Sequence, residues 1–132
     1  MRTGWLNSQK ERALSVMRIV VGFTFMAHGI QKVFGLLGGT RIVEFSLVGA
    51  AGYIELIGGI LIMTGLLTRP VAFILSGQMA VAYFGFHAPA GLWPVQNRGE
   101  LAVVYCFVFL YLVFSGGGAW SLDALRRGRP GR

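Results

Sequence analysis

The chain has 132 residues, of which 55% are hydrophobic and 13% charged, and its net charge is +7. This composition excludes an ordinary soluble domain, which needs more polar surface, and is typical of a small polytopic membrane protein. The charge does not indicate nucleic-acid binding, because the basic tail is four arginines long and has no folded basic face behind it. The single cysteine, Cys106, excludes an intramolecular disulfide, a CxxC redox pair and a thiolate zinc site.

Four apolar segments follow one another along the chain, at about 13–34, 47–67, 70–87 and 98–115. Each is near the ~20 residues that a helix needs to cross the hydrocarbon core of a bilayer. The connections between them are short or moderate, which favours antiparallel neighbours. The sequence therefore predicts an all-α, integral membrane four-helix bundle with up-down-up-down topology, formed by a single domain over residues 1–132.

The first segment has the basic leader of a signal peptide. His28 and Lys32 stand where a cleavable signal has small residues, so we expect this helix to be retained. Ser8 followed by Glu11 has the spacing of a capping box, which predicts a helix start at this point. Arg18, deeper in the segment, is expected to extend back to the inner headgroups.

Nine of the twelve lysine and arginine residues fall on one side of the predicted membrane. They are Arg2, Lys10, Arg12, Arg18, Arg69, Arg126, Arg127, Arg129 and Arg132, and the other side holds Lys32, Arg41 and Arg98. The positive-inside rule therefore predicts that both termini are cytoplasmic.

The second segment carries an acid at a depth from which water is hard to reach. Gly52, Glu55 and Gly59 share one helix face, and the glycines would let a neighbouring helix approach closely around the carboxylate. Gly65 can end this helix, and Thr68 is expected to cap the next one.

The third and fourth segments bring further polar residues to the outer side. The third carries Gln78 near its centre and His87 at its outer end. At about 100° per residue, the offset of nine residues puts these two side chains on opposite faces, so Gln78 is predicted to be set apart. The fourth begins near Glu100, which corresponds to Glu55 in a coarse pattern shared by the two helices and leaves an internal duplication open.

Most of the predicted membrane-embedded acids, bases and amides thus fall in the outer half of the membrane. An unpaired Glu or Lys at this depth would cost on the order of several kcal/mol, so each needs a partner, a cavity or a neutral state. Glu55 is expected to pair with Lys32 or His28. Glu100 is expected to pair with one of three cations, namely Arg98, His87 or Lys32. The candidate catalytic residues are His28, Lys32, Glu55, His87 and Glu100, and the candidate ligand-binding residues are Tyr83, Trp93, Asn97 and Arg98.

Most of these residues also have a purely structural interpretation. Lys32 could extend to the outer headgroups, and Arg98 and Glu100 could lie in the interface. The two histidines could be hydrogen-bonding packing residues. Glu55 is the hardest to explain in this way, because it is too deep to reach water easily.

A quinone or another small hydrophobic molecule fits such a site, with its ring between helices and a histidine and a carboxylate handling protons at its carbonyl oxygens. Lys32 and His28 would bind or polarise the ligand, and Glu55 would organise them or carry a proton. His87 and Glu100 would complete the site. Haem and metal sites are not favoured, because the histidines and acids have no diagnostic spacing. Aromatic side chains available to line the pocket are Tyr83, Phe84, Phe86, Trp93 and Tyr105.

Several short motifs occur in order along the chain. They are Gly29-Ile30-Gln31-Lys32, Glu55 with Gly58 and Gly59, the turn Gly65-Leu66-Leu67-Thr68-Arg69-Pro70, Gly85-Phe86-His87, Asn97 with Gly99-Glu100, and the closing Ser115-Gly116-Gly117-Gly118-Ala119-Trp120-Ser121-Leu122-Asp123. With this set the chain resembles the DoxX family from about Val16 to Asp123, although Gly117 stands where the closing pattern usually has proline. The family's recurring polar positions match Lys32, Glu55, Arg69, His87, Asn97 and Glu100.

The resemblance implies a four-helix protein of the bacterial inner membrane, in a family named for a membrane subunit linked to thiosulfate:quinone oxidoreductase. Other members are associated with oxidative or thiol stress, sometimes in complexes with soluble redox enzymes. Membrane lipid, a small hydrophobic ligand such as quinone and a soluble redox protein are therefore the expected partners. If the protein is an enzyme, it is expected to be a subunit of a quinone-linked membrane oxidoreductase. The alternative is a non-catalytic membrane scaffold that recruits partner proteins, and the glycine-lined faces also permit a homo-oligomer.

Overall fold

The computed structural model describes residues 3–43 and 45–128. Within these residues the regular structure is entirely helical, and no strand is formed. The helices are α1 (Thr3–Phe34), α2 (Leu47–Thr64), α3 (Thr68–Ala82), α4 (Pro94–Asn97), α5 (Glu100–Ser115) and α6 (Leu122–Arg127). A π-helical turn at Tyr83–His87 and a 3-10 turn at Ala88–Ala90 continue α3.

Three of these helical segments are long and apolar enough to cross a bilayer, namely Thr3–Phe34, Leu47–Thr64 and the continuous stretch Thr68–Ala90. The fourth, α5, is apolar but has only 16 residues. At 1.5 Å per residue it is about 24 Å long, less than the ~30 Å hydrocarbon core. The prediction of an all-helical fold with long apolar helices is confirmed, whereas the four-span topology with cytoplasmic termini stays a prediction. Three of the residues counted for that orientation lie outside the described residues, namely Arg2, Arg129 and Arg132.

Glycines bring α1 and α2 close together. A Cβ atom added to Gly22 would lie 2.5 Å from the backbone nitrogen of Met63, and one added to Gly29 would overlap the backbone of Leu56. Gly59 meets the backbone of α1 in the same way. The close approach predicted from the glycine pattern is therefore confirmed, and these glycines serve packing within one chain.

The remaining long helices share a common core with this pair. α3 packs against α5, and α2 packs against α3. The buried ring of Phe25 in α1 meets the edges of Tyr105 and Phe109 in α5, with ring centroids 5.1 and 4.9 Å apart. Such edge-to-face pairs stabilise the fold beyond the contribution from burying the rings. These rings belong to one continuous apolar core, to which residues of all four long helices contribute.

Arg18 is fully buried at the end of the bundle where α2 stops. Its guanidinium donates to the carbonyls of Ile62 and Met63 at 2.6 Å each, to Gly117 at 2.7 Å and to Trp120 at 2.5 Å. The last carbonyls of a helix lack partners within it, and a cation at that end is favoured by the helix dipole. The expectation that Arg18 extends to the headgroups is therefore wrong, because its side chain is buried and hydrogen-bonded to these carbonyls.

Arg69 repeats this arrangement in the second half of the chain. It donates to the carbonyls of Val113 and Phe114 near the end of α5, at 2.9 and 2.5 Å. The arginine and both carbonyls of this second contact lie 51 residues after those of the first. The glycines that end the two helices, with φ of 70° and 77°, are separated by the same 51 residues. The corresponding groups are Arg18 and Arg69, Ile62 and Val113, Met63 and Phe114, and Gly65 and Gly116.

The contacts thus give the chain an internal repeat in a register different from the predicted one. The sequence pattern paired Glu55 with Glu100, whereas an offset of 51 residues, as from Arg18 to Arg69, pairs Glu55 with Cys106. With the same offset, Lys32 in the first half corresponds to Tyr83 in the second. The two halves therefore share their arginine–carbonyl contacts and differ at these two positions.

The predicted capping box at Ser8 is wrong. α1 is already helical from Thr3, and the Ser8 hydroxyl donates to the carbonyl of Trp5, three residues earlier in the same helix. Ser8 therefore lies inside the helix, and its hydroxyl bonds to the preceding turn instead of capping a free backbone N–H group.

The predicted cap of α3 is wrong as well, because Thr68 is its first residue. The carboxylate of Asp123 accepts from the N–H groups of Leu67 and Thr68, both at 2.9 Å, and its own N–H donates to Gly65. Burial raises the pKa of Asp123, but the hydrogen bonds from Thr68 and Leu67 and the charge of Arg127 outweigh it and leave the pKa below its ordinary value. A residue far along the chain thus caps this helix.

Candidate functional site

The site is centred on an ion pair between α1 and α2. Nζ of Lys32, in the last turn of α1, lies 2.6 Å from Oε1 of Glu55. The Glu55 side chain is 5% exposed and that of Lys32 30%. Gly52 makes room for the lysine, since a Cβ on that glycine would lie 2.8 Å from the Cβ of Lys32. The predicted pairing of Glu55 with Lys32 is confirmed.

A central cavity of about 210 Å³ lies on one side of the pair, among α1, α3 and α5. Its polar lining consists of His28, Lys32, Glu55, His87, Arg98 and Tyr105. His28, one turn before Lys32, meets Tyr105 edge-on with ring centroids 6.3 Å apart. The structure therefore brings together four of the five candidate catalytic residues and one candidate ligand-binding residue.

A lateral cavity of about 460 Å³ lies between α2 and α3. It shares Lys32, Glu55 and His87 with the central cavity, so the ion pair lies between the two. The remaining wall is mostly apolar, and it includes the exposed side chains of Ile74 and Phe86. The lateral cavity therefore lies at the outer surface of the helix bundle.

Gln78 also lines the lateral cavity, together with His87. The prediction that these two lie on opposite faces and that Gln78 is set apart is wrong. The predicted angle holds for a regular α-helix of about 100° per residue. The chain instead forms a π-helical turn at Tyr83–His87, in which the rotation about the helix axis is less than 100° per residue. The wider turn swings His87 back toward the face that carries Gln78.

His87 is held in place by the loop that follows it. Its Nδ1 lies 3.1 Å from the backbone oxygen of Asn97, which is only an acceptor, so the ring N–H is assigned to Nδ1. The ring also stacks on Tyr83, with centroids 6.5 Å apart. In the neutral imidazole, Nε2 is then an acceptor.

Asn97 is buried and its side chain organises the loop. Nδ2 donates to Gly91 at 2.9 Å and to the hydroxyl of Tyr83 at 3.3 Å, while Oδ1 accepts from the N–H of Gly99 at 2.8 Å. All of its hydrogen-bonding atoms are thus engaged with the protein. Asn97 and Tyr83 lie outside the linings of both cavities and act on the site through His87.

Two further candidates lie away from the cavities. Trp93 is 63% exposed, and Glu100 is exposed at the start of α5. The predicted pairing of Glu100 is wrong, since Lys32–Glu55 is the only ion pair within residues 3–43 and 45–128. The carboxylate of Glu100 lies in the first turn of α5, at the end of a helix that favours negative charge. In the same residues, the histidines, cysteine and acids form no group of three or more that could hold a metal ion.

The profile of the DoxX family matches residues 13–88, more than half of the chain. The chain belongs to the DoxX family. The residues matched to the family include both members of the ion pair, as well as Gln78 and His87, so the lateral cavity of this DoxX protein lies within the shared region.

Relatives of this DoxX protein occur in several bacteria. An uncharacterized protein of Haemophilus influenzae is 44% identical over 117 residues, which cover 83% of this chain and 87% of that protein. "Putative oxidoreductase CatD" of Bacillus subtilis is 26% identical over 125 residues, with 89% and 90% covered. "Inner membrane protein YqjF" of Escherichia coli is 29% identical over 119 residues, with 83% and 88% covered. No solved structure shows significant similarity to the chain. This DoxX protein is thus a membrane protein whose exposed apolar helices contact lipid.

Proposed function

We propose that this DoxX protein is a single four-span domain of the bacterial inner membrane, with both termini in the cytoplasm, and that it binds a small hydrophobic molecule of the quinone class beside the Lys32–Glu55 pair. The observation that carries the proposal is Oε2 of Glu55, which is buried between two cavities without a hydrogen-bond partner among the described residues. A carboxylate oxygen in apolar surroundings costs free energy unless a bound group satisfies it.

The lateral cavity has the size and lining that such a ligand needs. Its volume of about 460 Å³ falls in the range of small-molecule sites, which are mostly apolar with a few placed polar groups. A bound quinone would supply coupled electron and proton transfer at its ring oxygens. Glu55 can accept or return a proton at Oε2, Lys32 compensates the charge of the carboxylate, and the loop fixes the tautomer of His87.

The names of relatives support the location and the redox link. The relative from Escherichia coli is named as an inner membrane protein, and the relative from Bacillus subtilis carries an oxidoreductase name. These names describe those proteins, and we transfer them only as a proposed role in a redox-linked membrane complex with a soluble redox partner.

The proposal is tested by what the purified protein retains. Gently extracted protein in lipid nanodiscs should contain a bound hydrophobic molecule, which extraction with organic solvent followed by mass spectrometry and absorption spectroscopy would detect. Glu55→Gln should lower its occupancy, because the variant loses the charged acceptor for a ring hydroxyl of the reduced, hydroquinone form. Glu11→Gln, which changes an exposed acid in α1, is the matched control and should retain the wild-type amount. Equal occupancy in the wild-type protein and Glu55→Gln would contradict the proposal.

One observation favours a second candidate, a membrane scaffold without a ligand. The ion pair joins α1 to α2, so the same residues could serve only to hold the bundle together. In that case Glu55→Gln would lower stability, and extracts of the wild-type and variant proteins would both lack a bound molecule.

A further inference from the structure

Two residues that line the lateral cavity each carry a buried oxygen atom that has no hydrogen-bond partner among the described residues. These atoms are Oε2 of Glu55 and Oε1 of Gln78. Glu55 as a residue is only 4% exposed. Each of these atoms can accept a hydrogen bond, and the carboxylate oxygen can accept a strong, charge-assisted one.

The orientation of the Gln78 amide is set by its surroundings. Nε2 faces the carbonyl oxygen of Ala51 at 3.4 Å, which is a long hydrogen bond. Rotating the amide by half a turn would instead bring two oxygen acceptors face to face, which is unfavourable. Oε1 is therefore the atom that remains available.

No donor of the described residues reaches either of these oxygens. The Lys32 ammonium binds Oε1 of Glu55, and the Nδ1–H of His87 binds the carbonyl of Asn97. In its neutral form the imidazole then adds a third acceptor, Nε2. The residues that line the lateral cavity thus offer three acceptors to a ligand, and Lys32 keeps two N–H groups beyond the one that binds Glu55.

We infer that this cavity selects the hydroxylated, hydrogen-bond-donating form of its ring ligand, such as a hydroquinone or phenol, over the form that carries only carbonyl oxygens. The inference rests on the proposed function and specifies the chemistry of its ligand. A hydroxyl group would donate to Glu55 or Gln78, while the ring and tail contact Ile74 and Phe86. A carbonyl oxygen in the same place would face like partial charges and leave the acceptors unsatisfied.

The test compares two probes that share a ring and a tail and differ in whether their ring oxygens carry hydrogen or methyl. Hexylresorcinol has two ring hydroxyls, and its dimethyl ether has the same ring and tail with no O–H group. The meta arrangement of the hydroxyls does not oxidise directly to a quinone, so binding is read without electron transfer. Titration of each probe into the wild-type protein in nanodiscs should show the diol binding roughly tenfold or more tightly than the ether.

Each outcome bears on a different claim. Equal affinity for the diol and the ether would overturn the inference, and it would leave the proposed hydrophobic ring site in place. If neither probe bound, the proposed function would fail as well. Gln78→Met, which keeps the length of the side chain but removes the amide, should reduce the preference for the diol several-fold.

Ser76→Ala provides a control on the same helix. Its hydroxyl donates to the carbonyl of Cys106 at 2.8 Å, outside both cavities, so this variant should keep the full preference for the diol. A preference that is unchanged in Gln78→Met would overturn the role of Gln78 and with it the inference. Thermal melts of both variants would establish that they are folded.

Discussion

Replacing Arg18 by methionine is expected to destabilise the protein much more than the same replacement of Arg69. Arg18 is fully buried and binds four carbonyls, whereas Arg69 is exposed and binds two. Of the four carbonyls, that of Ile62 also accepts from the N–H of Gly65, so Arg18→Met leaves about three without a partner. At about 1–3 kcal/mol for each unsatisfied buried group, less the desolvation cost that the guanidinium no longer incurs, we expect a net loss of about 3–5 kcal/mol.

The same change at Arg69 should cost only about 1 kcal/mol, because water can replace a guanidinium on an exposed surface. The internal repeat thus provides a matched control, since both arginines bind carbonyls at the end of a helix. Reversible unfolding of the two variants in mixed micelles, followed by helical circular dichroism, would give the two free energies. Equal losses would refute the reasoning, because they would mean that burial does not set the strength of these contacts.

Three further predictions concern stability. Asp123 has a lowered pKa in the folded protein, so its contribution to the free energy of unfolding is complete above its unfolded pKa of about 3.9. This contribution is lost as the pH falls through the pKa of the folded state. Asp123→Asn should therefore flatten this part of the pH dependence of unfolding. Gly29→Ala should lose about 1–3 kcal/mol because it meets the backbone of α2, whereas Gly77→Ala, with open space around it, should be neutral or stabilising in the same melts. Glu55→Ala should be destabilising because it leaves the half-buried Lys32 without its partner, and the double variant Lys32→Met with Glu55→Leu should recover stability. A double-mutant cycle without coupling would contradict this.

The central contact could be predicted from the sequence because it follows from depth and helix periodicity. Lys32 lies near the end of one apolar segment, and Glu55 lies just before the middle of the next, between Gly52 and Gly59. In an antiparallel pair the end of the first helix lies beside the first half of the second, within reach of a long lysine side chain, and a buried acid needs a cation. Such an argument uses only local spacing and the order of the helices, both of which the sequence contains.

The other parts of the site depend on features that local spacing does not contain. A single π-helical turn changed the face on which His87 lies relative to Gln78, and no residue pattern in that segment specifies such a turn. Asp123 caps a helix 55 residues earlier in the chain. The signal for Arg18 was present, since a charged residue in an apolar helix needs partners, but backbone carbonyls are not visible as partners in a sequence.

The internal repeat separates the part of the molecule that holds it together from the part that we propose binds a ligand. Both halves keep an arginine on the carbonyls at the end of a helix, at Arg18 and Arg69, although the two contacts differ in burial. The ion pair has no equivalent in the second half, because Tyr83 and Cys106 occupy the positions that correspond to Lys32 and Glu55. A charged pair buried in one half alone is not needed for packing of the repeated unit. The asymmetry therefore favours a ligand-binding role for the cavities beside it over a purely structural one.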